Sequence, residues 1–348
     1  FTYKSIMSLF TPVEGLIGGS LIGAAAGTLL LFNGDIMGFS GLLSTSILHP
    51  KQTFKENPWK LTFLASFSCA SMLYLKYIDP NCLELPTGFQ GPSKLAFALS
   101  GLMVGFGTKL GNGCTSGHGI CGLARFSKRS FANVFCFMTT GILTTVCMSS
   151  LDKNVFRSSE SLPINSSYGL LFTAVTLIAA LPNLANKKTL GAMMSASMGA
   201  IGLAASGMVK ASKIQSFLDI SALWKDASQY DPTLMCVMGS GVVASLVSYQ
   251  FHPNHTFQSD RSKCMTKPIM GDEFHVPTNT TIDWKLLLGG AVFGVGWAIG
   301  CFCPGPALFN IAVGSEGAIL YWFPCYLGGA YLAQTVVTYS IKSKDKTN

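Results

Sequence analysis

The run Gly105-Phe-Gly-Thr-Lys-Leu-Gly-Asn-Gly-Cys114-Thr-Ser-Gly-His118-Gly-Ile-Cys121-Gly-Leu-Ala-Arg125-Phe-Ser-Lys-Arg129-Ser130 decides how the rest of the chain is read. It opens as the end of an apolar helix and turns into a stretch with glycine at nearly every second position. Regular helix is costly there, because glycine is conformationally permissive and loses the most entropy when fixed. The run then closes on a cationic cluster. Interrupted backbone at membrane depth survives only where protein or a water-filled cavity covers it. A thiol, two hydroxyls and an imidazole on such a segment therefore mark a candidate site.

Working outward, composition gives the setting. The 348 residues are 49% hydrophobic and 11% charged, with a mean hydropathy of +0.42. A soluble domain carries roughly 25% charged residues, so the sequence predicts an all-α polytopic membrane protein. The net charge of +8 is spread over the links between apolar segments, and no basic block calls for nucleic acid. Most of the eleven cysteines sit inside apolar segments, unlike a secreted disulfide framework. No nucleotide, haem, quinone or metal-ligand pattern stands out, and no cofactor is expected.

Windows of roughly 20 apolar residues predict about nine spans. They fall near 13–32, 60–77, 94–111, 131–150, 167–183, 190–209, 233–251, 285–302 and 317–341. Residues 13–32 lack a signal-peptide cleavage pattern and read as a spanning helix. The links 33–48, 113–124, 210–222 and 303–313 are punctuated by glycine, proline or serine yet half apolar, which predicts short re-entrant helices. Residues 252–283 read as a polar surface loop. Nine spans put Lys51, Lys55, Arg125, Lys128, Arg129, Lys187, Lys188, Arg261, Lys263, Lys267, Lys342, Lys344 and Lys346 on one side. Lys4, Lys94, Lys153, Arg157, Lys210, Lys213 and Lys225 fall on the other. The positive-inside rule makes the first side cytoplasmic, with the N-terminus outside and the C-terminus inside.

The chain also repeats itself. Gly101, Gly105, Gly107, Gly111 and Cys114 coincide without a gap with Gly290, Gly294, Gly296, Gly300 and Cys303. A weaker pairing sets Ile22-Gly23 against Met198-Gly199 and Ser40 against Ser216. The chain thus divides into a half at 1–152, a linking helix at 167–183 and a half at 190–348, within a single transmembrane domain. The odd linking helix inverts the second half, and inverted repeats place a substrate site near the midplane where broken helices meet. Two thiols would then approach one path from opposite faces.

Each cysteine precedes a helix-start signal. Thr115 and Ser116 are suitable N-caps, and Pro304 suits the first turn. A helix start within the membrane aims free N–H groups and partial positive charge at an anion. Thiols add a weak donor and a soft acceptor. An oxyanion bearing a terminal sulfur would engage both, which a plain sulfate would not.

These residues resemble a known family. Gly113-Cys-Thr-Ser-Gly-His-Gly-Ile-Cys-Gly-Leu-Ala-Arg125 with Ser127-Lys-Arg-Ser130 resembles the signature of the YeeE/YedE family of sulfur-compound transporters. Gly296-Trp-Ala-Ile-Gly-Cys-Phe-Cys-Pro-Gly-Pro-Ala-Leu308 resembles its second signature. Ser206-Gly-Met-Val-Lys-Ala-Ser-Lys213-Ile-Gln-Ser-Phe-Leu-Asp219 and Asn33-Gly-Asp-Ile-Met-Gly-Phe-Ser-Gly-Leu42 resemble two more. The resemblance implies an hourglass-shaped protein of the inner (plasma) membrane that takes up thiosulfate ion and passes it along cysteine S–H hydrogen bonds. Carried over, the relay falls on Cys114 and Cys303. The pattern implies a further cysteine, but none precedes Cys69 here; Met37, Phe39 and Ser40 stand in that region, and Cys121 and Cys301 are the candidate substitutes.

The candidate substrate-binding set is therefore Cys114, Cys303, Thr115, Ser116, His118, Cys121, Cys301, Ser40 and Lys213. His118 either binds the anion or fastens neighbouring segments. Lys213 either draws anions into an outer vestibule or lies on a solvated face. Expected partners are thiosulfate, membrane lipids and a cytoplasmic sulfur-carrier or sulfurtransferase protein. Open alternatives are another sulfur or selenium species and, in a different class, a membrane thiol oxidoreductase working through Cys301-Phe-Cys303 or Cys114 with Cys121.

Overall fold

The computed structural model describes residues 9–86, 89–150, 155–158, 162–251 and 264–345. Lys4, Lys153, Arg261, Lys263 and Lys346, counted above by side, lie outside the described residues.

The described residues are mostly helical. Helix α1 is Pro12–Thr28 and continues through a π turn, Leu29–Asn33. Short α2 (Phe39–Leu48) and α3 (Pro50–Glu56) precede α4 (Trp59–Tyr77). The two-residue strand β1 (Gly91–Pro92) leads into α5 (Lys94–Leu110). A π-helical segment, Thr115–Gly122, follows, then α6 (Lys128–Ser150). β2 (Arg157–Ser158) pairs antiparallel with β1 and precedes α7 (Ser166–Ala180). The remainder is α8 (Thr189–Ala205), α9 (Ala211–Leu218), α10 (Ala222–Lys225), α11 (Thr233–Tyr249), α12 (Trp284–Gly300), α13 (Pro304–Val313) and α14 (Phe323–Asp345). Short helices thus occupy all four punctuated links.

Local chemistry sets the boundaries. Ser93 caps α5 by accepting from the Ala96 N–H, and Asp283 caps α12 by accepting from Leu286, satisfying orphan donors as N-caps do. Pro12 and Pro304 sit in the first turn of α1 and α13, where the missing N–H costs nothing. Among the described residues four helices, Pro12–Asn33, Lys128–Ser149, Ser166–Asn183 and Ala227–Tyr249, are long and apolar enough to cross a membrane. The pair α12 and α13, bent by 41° at its break, makes up to a fifth.

Glycine lets the helices touch backbone to backbone. A Cβ on Gly107 would lie 2.4 Å from the Phe293 nitrogen, and one on Gly296 would lie 3.0 Å from the Val104 nitrogen. Numbers rise along α5 as they fall along α12, so these two helices pack antiparallel. The same holds for α1 and α8: Gly18 meets Gly202, while the Ser195 hydroxyl donates to the Ala25 carbonyl at 2.7 Å. By contrast α1 runs parallel to α11, with Gly15 on Thr233, Gly19 on Val237 and Gly23 on Gly241. Helix α5 runs parallel to α14 and the π turn Gly317–Trp322 before it, with Gly101 on Trp322 and Gly105 on Tyr326. Helix α4 packs on α8, and α6 on α12.

Two links do more than connect. Residues 252–263 of the expected surface loop lie outside the described residues; residues 264–283 are mostly exposed and form neither helix nor strand, as a surface loop should. Their backbone docks on the end of α1, Ile269, Met270 and His275 donating to the carbonyls of Leu31, Phe32 and Gly34 at 2.9, 2.7 and 2.7 Å. The linking helix α7 is also more than a spacer. Its Phe172 packs edge-on against Phe323 of α14, and its Gly169 fits against the end of α13.

Candidate functional site

Helices α5 and α12 end alike. After Leu110 the chain turns through Asn112, in the left-handed region at φ 58°. After Gly300 it turns through Cys301, at φ 57°. A non-glycine residue there is uncommon and costs on the order of 1 kcal/mol or more. Asn112 and Cys301 hold the same place in the repeat. Two residues later Cys114 and Cys303 are extended, and each is the N-cap of the following helix. This corrects the N-cap role expected for Thr115 and Ser116, which lie inside the π segment.

The two hydroxyls turn to the sulfurs instead. Thr115 Oγ1 donates to Cys303 Sγ at 3.3 Å, across 188 residues of sequence. Ser116 Oγ lies 3.3 Å from Cys114 Sγ and accepts the Phe39 N–H at 3.2 Å. One segment therefore serves both thiols. The first three residues of any helix have N–H groups without an intrahelical partner. In the π segment these are Thr115, Ser116 and Gly117. In α13 they are Pro304, Gly305 and Pro306, so only Gly305 carries an N–H at all. The two helix starts thus differ in the donors they carry.

Several cavities border this region, three of them next to the residues just described. A central chamber of about 330 Å³ is lined by Thr115, Ser116 and Cys303 and otherwise by apolar groups such as Phe39, Phe137, Met238 and Trp297. A polar vestibule of about 320 Å³ is lined by Ser40, Ser44, Thr108, Lys60, Lys109, Asn112, Gly113, His118 and Arg125. Gly113 faces the vestibule and Thr115 the chamber, so the buried Cys114 stands in the partition between them. Ser40 and Phe39 divide in the same way. A second polar recess of about 510 Å³ holds Gln90, Thr145, Arg157, Gln215, Ser216, Asp219 and Gln229. Helix α9 separates it from the chamber, turning Ile214 and Phe217 to the chamber and Gln215 and Ser216 to the recess.

The remaining sequence-derived candidates have other tasks. His118 has Nδ1 3.0 Å from Ser130 Oγ and Nε2 3.2 Å from the Gly111 carbonyl. A carbonyl only accepts, so Nε2 carries the proton and Nδ1 accepts from Ser130. Both ring nitrogens are used, and the ring fastens the π segment to the end of α5. Lys213 pairs with the buried Asp231 at 2.8 Å and donates to the Leu9 carbonyl and Thr11 Oγ1 at 2.6 and 2.9 Å. Its charge is neutralised inside the protein, which corrects its reading as a free lure for anions. Cys121 donates to the Met37 carbonyl at 3.5 Å and Cys301 to Ala298 at 3.5 Å. Neither lines the chamber, the vestibule or the recess. The cysteines among the described residues are all free.

Sequence reasoning missed Lys60, Lys109 and Arg157, and the Tyr326 hydroxyl that donates to the Ser40 carbonyl at 2.9 Å. Lys109 lies inside the deciding run and was open to view. The partners of the others are too distant in sequence to have been read.

Over residues 188–339 the chain matches a family of unknown function, DUF6691. It is similar to a probable transporter of Xylella fastidiosa (strain Temecula1 / ATCC 700964), 33% identical over 135 residues that make up 38% of this chain and 92% of that protein. A probable transporter of strain 9a5c is 32% identical over 133 residues, 38% of this chain and 92% of that protein. Another from Temecula1 is 27% identical over 140 residues, covering 40% of this chain and 84% of that relative. The chain belongs to the family of these probable transporters. It is more than twice as long as each of the three.

Proposed function

We propose that the chain is a thiosulfate permease of the YeeE/YedE type, taking its ion inward between Cys114 and Cys303. The observation that carries the reading is the pair of thiols at matched turns, both held to hydroxyls of one segment at the wall of a chamber between two polar recesses. Cys303 lines that chamber and Cys114 stands in its partition. Thiosulfate oxygens suit the N–H groups of Thr115, Ser116 and Gly117, and its terminal sulfur suits the thiols. No full charge is buried at the constriction, and neutral weak donors let the ion leave as well as enter.

We read the architecture as nine spans in two inverted halves. The count adds α4, α5, α8, α12 and α14 to the four long apolar helices. Inversion is supported by the antiparallel contact of each counterpart pair, α1 with α8 and α5 with α12. It is supported also by the exchange of partners: α1 on α11 answers α8 on α4, and α5 on α14 answers α12 on α6. Relatives less than half as long fit a chain built from two such units. On this reading the vestibule with Lys60, Lys109 and Arg125 faces the cytoplasm, where a sulfurtransferase would collect the ion. The recess with Arg157 faces outward from the plasma membrane.

Growth of a sulfate-uptake-deficient host on thiosulfate tests the proposal. Wild type should restore growth, and Cys114→Ala and Cys303→Ala should abolish it while the folded protein persists in the membrane. Undiminished growth with both variants would remove the thiols from the path. Competition of labelled thiosulfate by sulfite, selenite and sulfide fixes the substrate, which we expect to be thiosulfate.

A further inference from the structure

The outer recess contains a cation that the thiol pathway leaves unused. Arg157 is 8% exposed and sits on β2, and its described contacts lie along one edge of the guanidinium. Nη1 donates to the Ile299 carbonyl at 3.2 Å, and Nη2 to Ala298 at 3.3 Å and to Cys301 Sγ at 3.5 Å. A guanidinium has five N–H groups in a fixed fork. Among the described residues three are used, which leaves Nε–H and one Nη1–H without a partner there.

No carboxylate within ion-pair distance answers this charge among the described residues. Buried charges are normally paired, and even the partly buried Lys213 has Asp231. Among the described residues the one carboxylate lining the recess, Asp219, accepts from Ser221 Oγ at 2.5 Å. Its other described lining residues are neutral, polar ones mixed with Phe89, Met148, Phe156 and Ala222, and the Gln215 amide oxygen among them is buried with no hydrogen-bond partner among the described residues. Turned over, that amide would present two more donors. At about 510 Å³ the recess has ample room for a tetrahedral oxyanion. Planar guanidinium forks match such oxygens two at a time.

We infer that Arg157 is the entry ligand of this pathway, holding a small sulfur oxyanion in the outer recess before it passes α9 to Cys303. The inference rests on the permease reading and adds to it the residue that sets affinity. The guanidinium already touches the sulfur of Cys301, two residues from Cys303. An anion captured there therefore waits beside the turn that presents the chamber thiol.

Measuring thiosulfate uptake against concentration for Arg157→Gln and Arg157→Lys decides it. Removing a charge-assisted bond should raise KM by at least about tenfold, with maximal rate kept within about twofold of wild type. Arg157→Lys keeps the charge but not the fork, and should fall between. If Arg157 merely caps the end of α12, both variants will lower the amount of folded protein or the maximal rate and leave KM at the wild-type value, which overturns the inference. Should Arg157→Gln fail to accumulate, a wild-type KM for Arg157→Lys also overturns it. The permease reading fails separately, in the absence of wild-type uptake.

Discussion

The segment after Cys114 and the segment after Cys303 begin alike and continue differently. Both follow a left-handed turn, and both present an extended cysteine. The second is then a regular helix, α13, buried at all ten positions. Two prolines start it and remove N–H groups. The first winds as a π helix, keeps three N–H donors and supplies hydroxyls to both sulfurs. The two segments thus share the turn and part just beyond it. One is a buried plug that offers little more than sulfur. The other is a polar arm with donors that can hold oxygens.

That contrast can be broken at single residues. The largest effect should come from Gly113→Ala. An added Cβ would sit 2.7 Å from the His118 ring and push out the group that fastens the arm. Overpacking of this kind costs typically 1–3 kcal/mol, so the thermal midpoint should fall by several degrees and uptake with it. Gly117 offers a cleaner cut. Nothing lies within 4 Å of its added Cβ, and its counterpart in the repeat is Pro306. Gly117→Pro should raise the KM for thiosulfate about tenfold by deleting one donor, while Gly117→Ala leaves it unchanged. The reverse exchange, Pro306→Ala, adds a donor to the plug and should lower KM several-fold, with slower release. The smallest change is expected for Thr115→Val. It removes one neutral hydroxyl–thiol bond, on the order of 1 kcal/mol, and should cut uptake no more than about fivefold. Equal KM values for Gly117→Pro and Gly117→Ala would erase the distinction between arm and plug.

Much of the repeat was open to a reader of the sequence, because glycine spacing and the cysteine register are written locally. The four interrupted links could be found for the same reason: glycine and proline stop helices wherever they fall. The π winding was not legible, nor was the direction in which Thr115 and Ser116 point. Those depend on Cys303 and Phe39, brought close only by tertiary packing. Lys213 misled because charge alone says nothing of a partner, and Asp231 meets it only after α9 and α11 have packed. Arg157 escaped notice in a polar link, since its meaning comes from the far end of α12.

Helix α7 has no counterpart, and that gives the molecule a seam. On the nine-span reading each half crosses the bilayer an even number of times and would by itself return to its starting side. A tandem copy joined directly would then stand the same way up as the first. The extra crossing turns the copy over, so the two thiols meet head to head rather than queue in one direction. Cut away at α7, the halves would be two proteins required to enter the membrane in opposite senses, with their lysines and arginines left to decide which way each one faces.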